Sequence, residues 1–181
     1  MFTRPTHSIP FLDGRASRTH HAVALWKLRL AGQIHGLRRA GALSRLDTLV
    51  HFAGFPRSGH SLIGAIVDAH PQARIAHELD SLGLLEAGLS MRQITALMDR
   101  KAAEFTAHGR FWNGYGYCID QAGHASGDDL RVIGDKKGDL AVRRVHHDPS
   151  LFDRLVRTSP LTCKWICVVQ PVRQYRHHVA A

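Results

Sequence analysis

At 181 residues, with 44% hydrophobic and 22% charged side chains, the chain has the composition of one folded domain and not of a disordered or fibrous protein. No run approaches the ~18 apolar residues of a membrane span, and Arg4, Pro5 and His7 are unlike a signal-peptide core, so a cytoplasmic protein is expected. A formal charge of +9 points to polyanions, phosphorylated cofactors or anionic membrane surfaces without choosing among them.

Residues 1–45 read as a basic N-terminal arm and helix, and 46–181 as an α/β domain. Up to Val50, eight Lys and Arg stand against Asp13 and Asp47 only, so much of the excess charge precedes that domain. A helix is predicted from Ala22 to Arg39, with Val23, Trp26, Leu30, Ile34 and Leu37 at helical spacing. It is read as a helix packed on the domain, with a membrane-surface, targeting or nucleic-acid element as the alternative. Then strand and helix signals alternate. Strands are predicted at Thr48–Ala53, Ala73–Ala76, Leu130–Ile133 and Lys164–Val169. Helices are predicted at Ser58–Ala69 (burying Leu62, Ile63, Ile66 and Val67), Ser90–Ala107 (burying Ile94, Leu97, Met98 and Phe105) and Ser150–Arg157, with a helical turn at Leu82–Gly88. The alternation implies a parallel sheet flanked by helices. Cys118, Cys163 and Cys167 lack zinc-type spacing and read as reduced, mostly core thiols.

The most informative segment is Gly54-Phe55-Pro56-Arg57-Ser58-Gly59-His60-Ser61, between a buried strand and a helix. Its glycines let backbone approach a ligand, and amides from Ser58 to Leu62 open the helix at its positive dipole end. Arg57 adds a charged fork suited to phosphate or sulfonate oxygens. A Walker A loop would carry lysine where His60 stands, which disfavours a P-loop kinase or phosphatase. A strand–turn–helix with glycines serving only packing is the plain alternative.

The run from Phe52 to Asp80, FAGFPRSGHSLIGAIVDAHPQARIAHELD, resembles the 5'-phosphosulfate motif of PAPS-dependent sulfotransferases (PAPS, 3'-phosphoadenylyl sulfate). It is most similar to the tyrosylprotein and bacterial members, and VIGDKKG from Val132 to Gly138 looks like the bacterial group. The resemblance implies a P-loop-like parallel sheet, and sulfuryl transfer from PAPS to a hydroxyl or amine of a small molecule, glycan or protein, without a metal. It places the donor on Gly54, Pro56, Arg57, Ser58, Gly59, His60, Ser61 and Leu62. It also places the family's catalytic base on Glu78, with His77 as runner-up and Asp80 as competitor. Because neighbouring strand residues point oppositely, His77 is expected to face away from Glu78. His60 is a candidate donor to the leaving phosphate, and Lys136 or Lys137 a candidate contact to sulfonate or an acidic acceptor, with a loop histidine and a solvated basic turn as alternatives. Phe111, Trp112, Tyr115 and Tyr117 read as core or lid packing, or as the frame of an acceptor pocket. His70 reads as a helix-end residue, and the pairs His20-His21, His146-His147 and His177-His178 as solvated.

The family's 3'-phosphate motif is matched poorly. Gln170 falls where arginine is expected; a shift of three restores Arg173, but alanine then takes the serine position. The chain is therefore expected to be C-terminally truncated relative to the family and prone to homo-oligomerise. The alternatives are a non-catalytic nucleotide or anion binder, and a basic protein whose first 45 residues engage nucleic acid or a membrane surface.

Overall fold

The computed structural model describes residues 18–119 and 129–169. The fold is α/β, with four parallel strands, β1 (Thr48–Gly54), β2 (Ala73–His77), β5 (Val132–Lys136) and β6 (Thr162–Val168), in the order β2-β5-β1-β6. Phe111–Trp112 (β3) and Tyr115–Gly116 (β4) form a separate antiparallel pair.

Alternation along β1 divides the core. Leu49 faces a large cluster with Leu82, Leu84, Ile94, Met98, Ile133, Leu151 and Leu155. Val50 and Phe52 face a smaller one with Ile75, Ile63 and Val67. Helix α3 (His60–Asp68) covers the smaller cluster; α4 (Ser81–Glu86), α5 (Met91–Ala107), α6 (Asp139–His147) and α7 (Ser150–Thr158) supply the larger. Ser90 caps α5 in a reciprocal capping box with Gln93, which fixes where that helix starts.

Several expectations need correction. In α1 (Arg18–Arg38) the stripe Val23, Trp26, Leu30, Ile34 and Leu37 is exposed, and Leu25, Leu28 and Ala31 pack inward instead. The reason is close approach. Gly32 lies where a Cβ would come within 3.0 Å of the Gln93 carbonyl oxygen, so a face of small residues meets α5. In α3, Leu62 and Ile66 also point outward while Ile63 and Val67 are inside. Phe105 is half-buried, not core. Helix α6 was not predicted, because only Ala141 is fully buried along its polar sequence. Strand β5 starts and ends later than expected, because Asp135 and Lys136 are buried within it. Cys118 and Cys167 are exposed and so are not core thiols, whereas Cys163 is half-buried and packs against the larger cluster; Cys163 and Cys167 lie on β6, which pairs on one side only among the described residues.

Helix α1 is fastened to the domain by Asp99 of α5, whose side chain is fully buried. It accepts hydrogen bonds from His35 of α1 (2.8 Å), from Nε of Arg39 (3.2 Å), which joins α1 to the short helix α2 (Ala40–Leu43), and from Arg74 of β2. Burial alone would raise this carboxyl, but His35, Arg74 and Arg39 hold it below its ordinary value. Asp99→Ala would leave the Arg39 and Arg74 guanidiniums and the His35 imidazole around an empty position and is expected to destabilise the fold by about 3–5 kcal/mol in urea titration.

His51, buried in β1, stacks on Trp165 with ring centroids 5.2 Å apart, and its Nε2 has no hydrogen-bond partner among the described residues. Burial lowers its pKa to about 4. The folded state therefore keeps it neutral while the unfolded chain takes up a proton below about pH 6.5. Its contribution is full above pH 6.5 and is lost as the pH falls toward 4. The stability difference between the parent and His51→Leu should shift by about 3 kcal/mol in favour of the variant between pH 7 and pH 4.

Candidate functional site

The parallel strands bring three chain segments to one edge of the sheet, since His77 pairs in register with Lys136 and β1 ends beside them at Gly54. Ligand crevices of open α/β sheets lie at this carboxyl edge. Over β1, the Phe55 carbonyl accepts from the Ser58 amide (3.1 Å), turning the chain back. Arg57 (φ 65°) and Gly59 (φ 91°) both take the left-handed conformation, and Gly59 caps α3. Glycine adopts that angle without strain, whereas Arg57 holds it at a conformational cost typical of functional loops. In the first turn of α3 the amides of Leu62 and Ile63 donate to the Gly59 carbonyl (3.0 and 3.1 Å), so of the amides expected to open the helix, those of Ser58 and Leu62 are spent within the loop and turn, and those of Gly59, His60 and Ser61 stand at the helix start.

Inside the loop, Ser58 and His60 are buried, with Ser58 Oγ 3.0 Å from His60 Nδ1. Gly138 (φ 51°) leaves room for the imidazole, because a Cβ there would lie 2.6 Å from His60 Nε2. Burial, followed by the charge of Lys136, lowers the His60 pKa and keeps the ring neutral. Its ring is thus lodged between the loop and the turn after β5. Phe55, Pro56, Arg57 and Leu62 stay on the exposed side.

Lys136 is the centre of the arrangement. Its side chain is 1% exposed, and its stem runs beside Gly64 of α3, where a Cβ would lie 3.0 Å from Lys136 Cγ. The ammonium donates to Ser61 Oγ (2.9 Å) and Glu78 Oε1 (2.5 Å) and lies 3.3 Å from His77 Nε2. Lys137 Nζ is 3.2 Å from Glu78 Oε2. Burial lowers the Lys136 pKa, with Glu78 opposing. Burial by itself would raise the Glu78 carboxyl, but the two lysines hold it below its ordinary value. A lysine charge imported from β5 thus reaches the loop that lacks a lysine of its own.

Strand alternation does not separate His77 from Glu78 as expected. β2 ends at His77, and Glu78 leaves it with φ 63°, which turns its carboxylate back toward Lys136. The turn is held by Asp135, which accepts from the amides of Leu79 (3.1 Å) and Ser81 (2.7 Å). Burial raises the Asp135 pKa to about 6. His77 stacks on Phe105 (4.3 Å between centroids), beside Trp112 and Tyr117. Burial, then Lys136 and Arg110, lower its pKa to about 2. An imidazole so placed is a packing and acceptor group. Asp80 is not a free competitor, because it caps α4 and pairs with Arg144 through two bonds of 2.8 and 2.6 Å. Arg144 sits on the unanticipated α6, so sequence reasoning missed this pair.

No protein-family model and no curated protein matches the chain.

The expected roles therefore stand on the residues themselves. The structure brings Gly54, Ser58, Gly59, His60 and Ser61 together with Lys136, Lys137 and Glu78. Phe111 and Tyr115 of the aromatic run are exposed, and Trp112 and Tyr117 lean on His77. Arg173 and Gln170 lie outside the described residues, as do the side chains of His20 and His21 and the pair His177-His178; His146 and His147 are exposed. His70 follows α3 and accepts from the Gln72 amide through Nδ1 (3.2 Å). No group of three potential metal ligands occurs among the described residues, and no described helix is long and apolar enough to cross a membrane.

Proposed function

We propose that the chain is a sulfotransferase-type enzyme that takes a sulfuryl group from PAPS to a hydroxyl or amine. The observation that carries this reading is the Lys136 ammonium, buried at the mouth of the Gly54–Ser61 loop between Ser61 and Glu78. Such a loop suits a phosphosulfate by its donor chemistry, since helix-start amides, a serine hydroxyl and an ammonium converge where anionic oxygens need them. PAPS supplies an activated sulfuryl group and leaves as adenosine 3',5'-bisphosphate. The loop amides and Arg57 hold the anionic group, Lys136 offsets charge on the departing side, and Glu78 takes the acceptor's proton.

Titration calorimetry with adenosine 3',5'-bisphosphate, together with transfer from labelled PAPS to a panel of phenols, alcohols and amines, tests this. Micromolar binding weakened by Arg57→Ala, with label transfer, supports it; no binding at millimolar bisphosphate overturns it. A second reading, a nucleotide or anion binder without turnover, draws on the double pairing of Glu78, which occupies the carboxylate that would serve as base. Tight bisphosphate binding with no transfer to any acceptor, or to water, would decide for it.

A further inference from the structure

Helix α1 has two faces with different fates. One packs on α5 through Leu25, Leu28, Ala31 and Gly32 and is anchored by Asp99, with Arg29 donating to the carbonyls of Ala87 (3.2 Å) and Gly88 (3.5 Å). The opposite face carries Val23, Trp26, Leu30, Ile34 and Leu37 into solvent, with Trp26 62% and Leu37 60% exposed. Five large apolar side chains in one stripe about 21 Å long are unusual on a surface that meets only water. Lys27 and Arg38 border the stripe, and α1 contains no Asp or Glu.

We propose that α1 is an interfacial helix that lays this stripe into an anionic lipid bilayer, holding the α/β domain at the membrane surface. The chemistry favours that occupant over others. An apolar stripe bordered by cations, with an indole on it, matches the boundary between acyl chains and acidic headgroups. A nucleic acid would meet apolar side chains where it needs cations. A coiled coil with a second copy would rest on about two heptads, short of the roughly three to four that sustain one. The fold itself presents the stripe, because α1 is already fixed to α5 through its other face. The inference does not depend on the transfer chemistry proposed above.

The test is co-sedimentation of the full chain with vesicles of phosphatidylcholine alone or with about 30% phosphatidylserine. The chain is expected to partition onto the anionic vesicles, less so at high salt. Trp26→Ser with Leu30→Ser, at exposed positions that leave the fold intact by circular dichroism, should lower partitioning about tenfold or more. Lys27→Glu with Arg38→Glu should abolish the preference for anionic over neutral vesicles. Bisphosphate affinity, if present, should be unchanged in both variants. Failure of the parent to sediment with anionic vesicles overturns the proposal, as does a serine variant that partitions like the parent. A dimer that the serine pair dissociates, without vesicle binding, would place a second copy on the stripe and overturn it equally.

Discussion

Lys136→Met is expected to weaken adenosine 3',5'-bisphosphate binding by about 10–100-fold and to lower sulfuryl transfer from PAPS to an acceptor by about 10²–10³-fold, while the chain stays folded. The expectation comes from how the lysine is held. A buried ammonium carries a desolvation penalty of several kcal/mol and persists only where partners offset it. Here the partners are Ser61, on the first turn of α3, and Glu78, beyond β2. A charge held at that price in stability, against Ser61 of the loop, is the one that an anion bound at the start of α3 is expected to draw on. Methionine keeps most of the stem's volume beside Gly64, so packing loss is small and the deficit should fall on ligand binding. Gly64→Ala provides an independent check, because its Cβ would press on Lys136 Cγ at 3.0 Å and displace the ammonium without removing it. A smaller loss of binding in the same direction is expected. Unchanged bisphosphate affinity in Lys136→Met, measured by calorimetry, would remove Lys136 from the site.

The main features of this site were legible because they depend on local pattern. A buried strand, a glycine-bearing turn and an amphipathic helix follow one another in the sequence, and the structure has that strand–turn–helix at the carboxyl edge of the sheet. What sequence could not show was which face each helix turns inward. The apolar residues of α1 and of α3 divide between two faces, and the choice is made by close approach: Gly32 against Gln93 in one case, Gly64 against Lys136 in the other. Periodicity finds the larger side chains; it does not register that a face of small residues packs tighter. The relation of Glu78 to His77 was misread for a different reason. Alternation holds within a strand, and one left-handed residue at the strand's end cancels it. The Asp80–Arg144 pair was out of reach once α6 was missed, since that short helix is mostly polar, with Arg143, Arg144, His146 and His147 in its second half, and buries only Ala141 fully.

Glu78→Gln is the variant that separates catalysis from binding. The amide cannot take a proton from the acceptor, so turnover should fall by about 10²–10⁴-fold. Bisphosphate affinity should hold or improve, because Lys136 and Lys137 lose a competing carboxylate and keep their charges for the ligand. A purely structural glutamate would predict the reverse, with binding and stability falling together. The pH profile adds a second signature. In the free protein burial pushes the Glu78 carboxyl up, and the two lysines overcome this and hold it below its ordinary value. The acid limb of kcat/KM, which reports the free protein, should therefore lie below the usual carboxylate range, and activity should be lost only as the pH falls through it. With an anion in the loop, Lys136 is shared between ligand and Glu78, and burial regains weight. The acid limb of kcat should then lie at higher pH than that of kcat/KM, because the carboxylate is a stronger base once its partner is drawn away. Coincident limbs, or a Glu78→Gln variant that loses binding as severely as turnover, would show that Glu78 holds Lys136 in place and takes no proton.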